Sequence, residues 1–262
     1  KDIRVIRGGF DAHWGGRSSS VVEITGKTGN ENQLIADAGV DLLGADIEIE
    51  GPVGKKASFV IAARRSFTDY FKSSLYSNLF ESARSDITLN KFSASAFTNE
   101  ASEHHYFYYD FNTKLSFKPT MKDLISVSAY KGYDQLNYNK SDANPFINED
   151  SDWGNMGAGL RWSRQWGSRF YHNFTLGASK YDLFYDHRDS SVVRSQAGSI
   201  SRITRKHFLI DNQLDDINAN FQGQLMLGAK DQLEFGFAGN NVNISSTEAT
   251  SNYINTIQII DT

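Results

Sequence analysis

Five stretches of the chain carry residue types at a spacing that could do chemistry: His104-His105, the oxygen-rich run DANPFINEDSDWGN (142–155), the glycine cluster GNMGAG (154–159), and the triplets NFT (173–175) and NIS (243–245). Each fails on a physical requirement. Adjacent histidines on a strand point to opposite faces, so they make a poor chelate and read as the solvated end of a loop. The acidic run lacks the central glycine and terminal glutamate that an EF-hand calcium loop needs, and reads as an exposed loop. The glycine cluster does not have dinucleotide-binding spacing and sits on a strand pattern. The two triplets match glycosylation acceptors, yet both fall within strand-like runs rather than surface loops. No nucleophile elbow or comparable arrangement of Ser, His and Asp is visible. The chain contains no cysteine, which excludes disulfides and thiolate metal sites. The reading is of a protein that is not an enzyme, with no catalytic residues, no metal and no cofactor.

The elements that would position any other site follow from composition and period. The chain has 262 residues, of which 39% are hydrophobic and 22% charged, so it is not a disordered composition. A formal net charge of −4 argues against nucleic acid as the main partner. Aromatic residues reach 13%. Mean hydropathy is −0.47, and no apolar run approaches the roughly 18 residues of a membrane helix. A β-barrel can cross a membrane at such hydropathy, because only alternate residues face lipid.

The period is two almost throughout. His105, Phe107, Tyr109, Phe111, Thr113, Leu115 and Phe117 form one set, and Tyr106, Tyr108, Asp110, Asn112, Lys114 and Ser116 the other. Met156, Ala158, Leu160 and Trp162 separate in the same way from Asn155, Gly157, Gly159, Arg161 and Ser163. Alternation over this length is a strand signal. It predicts about nine strands, near 31–42, 44–51, 57–67, 104–118, 122–135, 153–166, 169–185, 205–224 and 231–244, with a short helix over 72–84. The prolines Pro52, Pro119 and Pro145 are expected between strands. Period two alone fits a soluble sandwich equally well. The connections favour a membrane barrel: long links at 68–103, 135–152 and 187–205 alternate with tight ones at GPVGKK, KPTMKD, QWGSR and LGAKD. Trp162, Trp166, Phe170 and Phe117 near the tight turns, and Tyr181 and Phe184 near a long link, suggest interfacial girdles. Nine strands cannot close a single-chain barrel, so the chain is expected to be part of a larger one.

The opening stretch IRVIRGGFDAHWGGRSSSVVEITGKTGN resembles the end of the plug domain in TonB-dependent outer-membrane receptors. DIEIEGPVGKKASFVIAARRSFTDYF then resembles the family's early barrel strands around the first periplasmic turn. YYDFNTKLSFKPTMKDLISVSAYKGYD and DWGNMGAGLRWSRQW continue the likeness. The resemblance covers essentially the whole chain and rests on the order and spacing of these stretches rather than on one motif. His13-Trp14 departs from the family's usual aromatic placement before the glycine pair.

The resemblance implies an all-β fold: a partial transmembrane antiparallel β-barrel of about nine strands, with the end of a plug inside. Residues 1–28 would be the C-terminal part of the plug and 29–262 the N-terminal part of a 22-stranded barrel. Gly8, Gly9, Gly15 and Gly16 would let the chain turn through the plug–barrel junction, and Ser18, Ser19 and Ser20 would allow close packing on the wall. Arg4, Arg7, Arg17 and Glu23 would lie in the wet lumen, and Arg7 is where the family places an ion pair between plug and wall. The implied function is import of an extracellular nutrient across the outer membrane of a Gram-negative bacterium. Energy would come from the TonB–ExbB–ExbD complex, through a segment outside this chain. Outer-membrane lipids and an unidentified nutrient are the other implied partners, with a surface lipoprotein lid accompanying some glycan and peptide importers of this type. The alternatives are a passive porin-like or adhesive barrel, and a soluble carbohydrate-binding β-sandwich. A barrel fragment should place Phe107, Phe111, Leu160, Phe174 and Phe235 on one outer surface, and leave open edges near residues 35 and 240.

Overall fold

The computed structural model describes residues 2–7, 20–71, 73–78, 103–140, 146–194 and 200–256. Two strands, β1 (Asp2–Arg7) and β2 (Ser20–Thr25), pair antiparallel as a separate two-stranded sheet. The other nine form one antiparallel sheet in strict chain order: β3 (Ile35–Val40), β4 (Gly44–Val53), β5 (Ala57–Ser66), β6 (Glu103–Phe117), β7 (Asp123–Lys140), β8 (Phe146–Gln165), β9 (Phe170–Arg194), β10 (Ile200–Met226) and β11 (Gln232–Thr256). The sheet is open, with β3 and β11 as its edges. Nine strands in one sheet, with edges near residues 35 and 240, is the arrangement the alternation implies.

Three features differ from the sequence reading. Two of the three long links are mostly strand: β7 and β8 pair up to Lys140 and Ile147, and β9 and β10 up to Arg194 and Ile200. Pro52 lies inside β4, opposite Ser58, one residue from the strand's end. The helix expected over 72–84 is a single turn over 74–78 among the described residues.

Residues directly opposite in an antiparallel ladder share a face, so the register assigns every side chain. One row reads Phe59, Leu115, Val127, Leu160, Leu176 and Ala219 across β5 to β10; the next reads Ala57, Phe117, Ile125, Trp162, Phe174 and Phe221. Phe107, Phe111, Leu160, Phe174 and Phe235 all fall on this apolar face. The opposite face carries Val60, Lys114, Ser128, Gly159, Gly177 and Asn218 in one row, and Ala62, Asn112, Tyr130, Gly157, Ser179 and Asp216 in another.

Burial is inverted relative to a water-soluble domain. The buried residues include Ser58, Ser66, Ser116, Ser126, Ser163, Asp123 and His172, whereas Leu115 and Val127 stay 45% and 50% exposed and Ile217 59%. Leaving such side chains in water forgoes about 1.5–3 kcal/mol each. A sandwich would cover this face with a second sheet about 10 Å away; among the described residues no second sheet large enough to do so exists.

Belts of aromatic rings bound the apolar face at both ends. At the tight-turn end Trp162, Trp166, Phe170 and Phe221 surround His172, which accepts a hydrogen bond from Trp166 Nε1 at 2.7 Å, and Phe235 stacks on Phe170. Trp162 Nε1 donates to Asp123 at 3.1 Å, and the Arg164 guanidinium stacks 4.3 Å from the Trp166 ring centre. At the other end Phe107, Tyr109 and Tyr133 pack together. Phe184 belongs to that end of the same face, but Tyr181, opposite Asn155, is on the polar face and is no part of a girdle. From Ile125 to Tyr133 is eight residues, about 26 Å of strand. A tilt of about 40° reduces this to about 20 Å, near the height of a barrel's lipid-facing band.

Candidate functional site

The polar face supports a groove of about 470 Å³, within the size range of small-molecule sites. Its floor is built from the ladder itself. Ser128, Gly159 and Gly177 stand side by side on β7, β8 and β9, and Gly157 and Ser179 adjoin them. Residues this small keep the floor low, because a strand position with a larger side chain would fill the space above the backbone. Lys114, Asn218 and Glu48 supply polar groups at its margins.

The chain leaving β2 crosses this face. Gly29 sits against the backbone of Phe59 on β5 so closely that a Cβ there would lie 2.1 Å from the Phe59 carbonyl oxygen. Side chains from the wall fix the crossing. Lys27 Nζ donates to Glu48 Oε1 at 2.6 Å and lies 2.8 Å from Glu50 Oε1. The Asn30 amide donates to Glu50 Oε2 at 3.1 Å, and Glu50 itself is 5% exposed. Lys118 pairs with Glu31, and Lys114 Nζ reaches the Gly26 carbonyl at 3.5 Å. Hydrogen bonds to Glu48 first and to Glu50 second raise the Lys27 pKa above the ordinary lysine value. The lysine is therefore a fixed cation throughout the physiological range.

Glu48 and Glu50 reach one ammonium because they are two residues apart on β4 and so share a face. That spacing is visible in the sequence run DIEIE; their partner is not, because Lys27 belongs to a segment with no period of its own. Among the expected site residues, Gly8, Gly9, Gly15, Gly16, Ser18 and Ser19 lie outside the described residues. Ser20 opens β2 directly opposite Arg7, the last residue of β1. Arg7 is exposed and has no acidic partner among the described residues. Within this hairpin the ion pair is Arg4 with Glu23, at 3.9 Å.

The described residues of the stretches that suggested chemistry lie within strands. His104 is buried beside the Tyr76 ring at 5.3 Å, while His105 is exposed on the other face. Two carboxylates of the acidic run face β7, Asp150 accepting from Asn137 and Asp152 from the Tyr133 hydroxyl at 2.8 and 2.9 Å, while Glu149 lies 3.4 Å from His187 on β9. NFT lies within β9, NIS within β11 and the glycine cluster within β8.

No protein-family model and no curated protein matches the chain. Among solved structures, it is similar to the Pseudomonas putida toluene transporter TodX at 10% identity, over 80% of this chain and 68% of that one, with a TM-score of 0.24. It is similar to the CymD monoaromatic hydrocarbon channel at 10% identity, over 86% and 78%, with a TM-score of 0.22. Overlaps this loose leave the functional reading to the geometry.

Proposed function

We propose that the chain forms part of a transport barrel in the outer membrane of a Gram-negative bacterium, and that import through it is driven by TonB. Residues 1–28 are the end of a plug and residues 29–262 the first strands of the wall. One observation carries this reading: a segment with its own two-stranded sheet is clamped across the polar face by Lys27, Glu48 and Glu50, while the opposite face is apolar, exposed and belted by aromatic rings.

A wall with lipid on one side and water on the other needs this distribution. A segment held on the watery side by ion pairs suits a plug, because water can replace each polar contact at a modest net cost of about 0.5–1.5 kcal/mol. An apolar seat would resist a pull. The outer membrane holds no ATP and no ion gradient of its own, so uphill import needs work delivered from the inner membrane. Substrate binding needs none.

The test uses cells expressing the intact protein. Membrane extraction with carbonate should leave it in the pellet, and its nutrient should bind at the surface whether or not TonB is present. Uptake should stop in cells lacking TonB and in cells whose proton-motive force is collapsed. Uptake that persists unchanged in the absence of TonB would make the barrel a passive channel.

A further inference from the structure

Above the groove, toward the long-loop end, the polar face changes character. Tyr106 and Trp153 stack at 6.4 Å between ring centres with 27° between planes, and Tyr108 lies 6.0 Å from Tyr106. Charged groups interleave with these rings. The Tyr106 hydroxyl donates to Asp134 at 2.8 Å. Arg64 lies over the Tyr108 ring at 5.0 Å while its Nε donates to Asp110 at 2.9 Å. The register puts all six residues on the face that carries the groove: Arg64 opposite Asp110, and Tyr108 opposite Asp134, which is opposite Trp153.

The platform is held from the side. β5 stops pairing with β6 at Tyr109, and the chain leaving β5 takes over the vacant edge. Ser66 Oγ accepts from the Tyr108 amide at 2.9 Å, and the Thr68 hydroxyl donates to the Tyr106 carbonyl. Both residues are buried. The two tyrosines therefore sit on a braced backbone. From Tyr108 to Asn112, at the rim of the groove, is four residues or about 13 Å along the strand.

We infer that Tyr106, Tyr108 and Trp153, flanked by Asp134, Asp110 and Arg64, form a binding platform for a neutral saccharide. The inference rests on the transport reading above and names the class of cargo. Ring faces offer a flat apolar surface to the C–H groups of a pyranose, as amphipathic aromatics do at other interfaces. Carboxylates and a guanidinium at the ring margins offer paired acceptors and donors to vicinal hydroxyls. The other two ligand classes that bind aromatic rings fit less well. An aromatic hydrocarbon would cover Asp134, Asp110 and Arg64 without replacing their water, and burying charge without compensation is costly. An organic cation would meet Arg64, already seated on Tyr108.

The experiment titrates the intact, detergent-purified protein with maltohexaose, cellohexaose, mannohexaose and xylohexaose, with toluene and tetraethylammonium as counter-probes. At least one oligosaccharide should bind. Trp153→Ala and Tyr108→Ala should each weaken it about tenfold or more, and Trp153→Phe should restore most of the loss. Unchanged heat-modifiable migration of the barrel on gels serves as the folding control. Binding of either counter-probe with the same aromatic dependence overturns the inference, as does a protein that binds none of the oligosaccharides. The transport reading stands or falls separately: TonB-dependent uptake of a non-saccharide nutrient would leave it intact while removing this one.

Discussion

Lys27 and Glu48 are 21 positions apart in the chain, and the ammonium of one lies 2.6 Å from the carboxylate of the other. The contact ties the segment that follows the small sheet to the wall of the large one. Removing it should loosen the segment without unfolding the wall. Lys27→Ala is expected to raise susceptibility to vancomycin severalfold in cells expressing the intact protein, with Lys55→Ala, in an exposed turn, as the control. Arg7→Ala belongs in the same assay. A larger leak from Arg7→Ala than from Lys27→Ala would move the main latch to the junction position that the family resemblance singles out.

Gly29 tests the same crossing by shape instead of charge. An added methyl would lie 2.1 Å from the Phe59 carbonyl oxygen and 2.5 Å from its carbon, and these are backbone atoms within a paired strand. Neither can yield cheaply. Gly29→Ala should lower stability by about 1–3 kcal/mol, the usual cost of overpacking. Gly26→Ala, whose methyl would meet nothing within 4 Å, should not. Thermal melts of the detergent-solubilised protein separate the two. Equal melts would mean that the crossing is looser than the geometry requires.

Much of this arrangement is legible in the sequence, and the exceptions have physical reasons. The nine strands are visible because an apolar face opposite a polar face imposes a period of two. Residues 136–140, 146–152, 186–194 and 200–204 are also strand, yet they read as loop. Leu136 and Tyr138 give only one short alternation, Phe146–Ile147 and Val192–Val193 are adjacent pairs, and Asp186 to Ser191 carries no apolar residue, so no sustained period of two marks a strand there. Tyr181 misleads for a related reason: its distance from the loop suggests a girdle, but it is an odd number of residues from Leu176 and Phe184 and so falls on the polar face. The Lys27 clamp and the Tyr106–Trp153 stack depend on a crossing angle and a register between strands. Neither leaves a trace in any one segment.

Asp41 gives a pH-dependent test in a turn outside the strands. Its Oδ1 accepts from the amides of Leu43 and Gly44 at 2.7 and 2.8 Å, pinning the turn between β3 and β4. Those backbone hydrogen bonds, that of Leu43 first, hold the carboxyl below its ordinary pKa of 3.8. A folded-state pKa that is depressed gives stability that is complete above the ordinary value and is lost as pH falls through the lowered one. Hydrogen exchange at Leu43 and Gly44, corrected for intrinsic rates, should therefore stay constant from neutral pH down to about 5 and rise only below about 4. Asp41→Asn should weaken protection at all pH values. Protection that already falls between pH 7 and 5 would point to a different titrating group.

The two faces of β7 offer the sharpest test of the membrane reading. Val127 and Ser128 are neighbours on one strand, and both are exposed. In water a lysine at either position would be tolerated, since surface substitutions usually change stability by less than about 0.5 kcal/mol. In a barrel the two differ completely. Val127 stands in the row of Leu115, Leu160 and Leu176, where lipid would meet an ammonium; Ser128 stands between Lys114 and Gly159 over the wet groove. Val127→Lys should cost about 2–4 kcal/mol near the midplane of the bilayer, and Ser128→Lys close to nothing. The measurement is urea-driven unfolding of the intact protein from phospholipid vesicles. Equal midpoints for the two variants would place both faces in water and end the barrel reading.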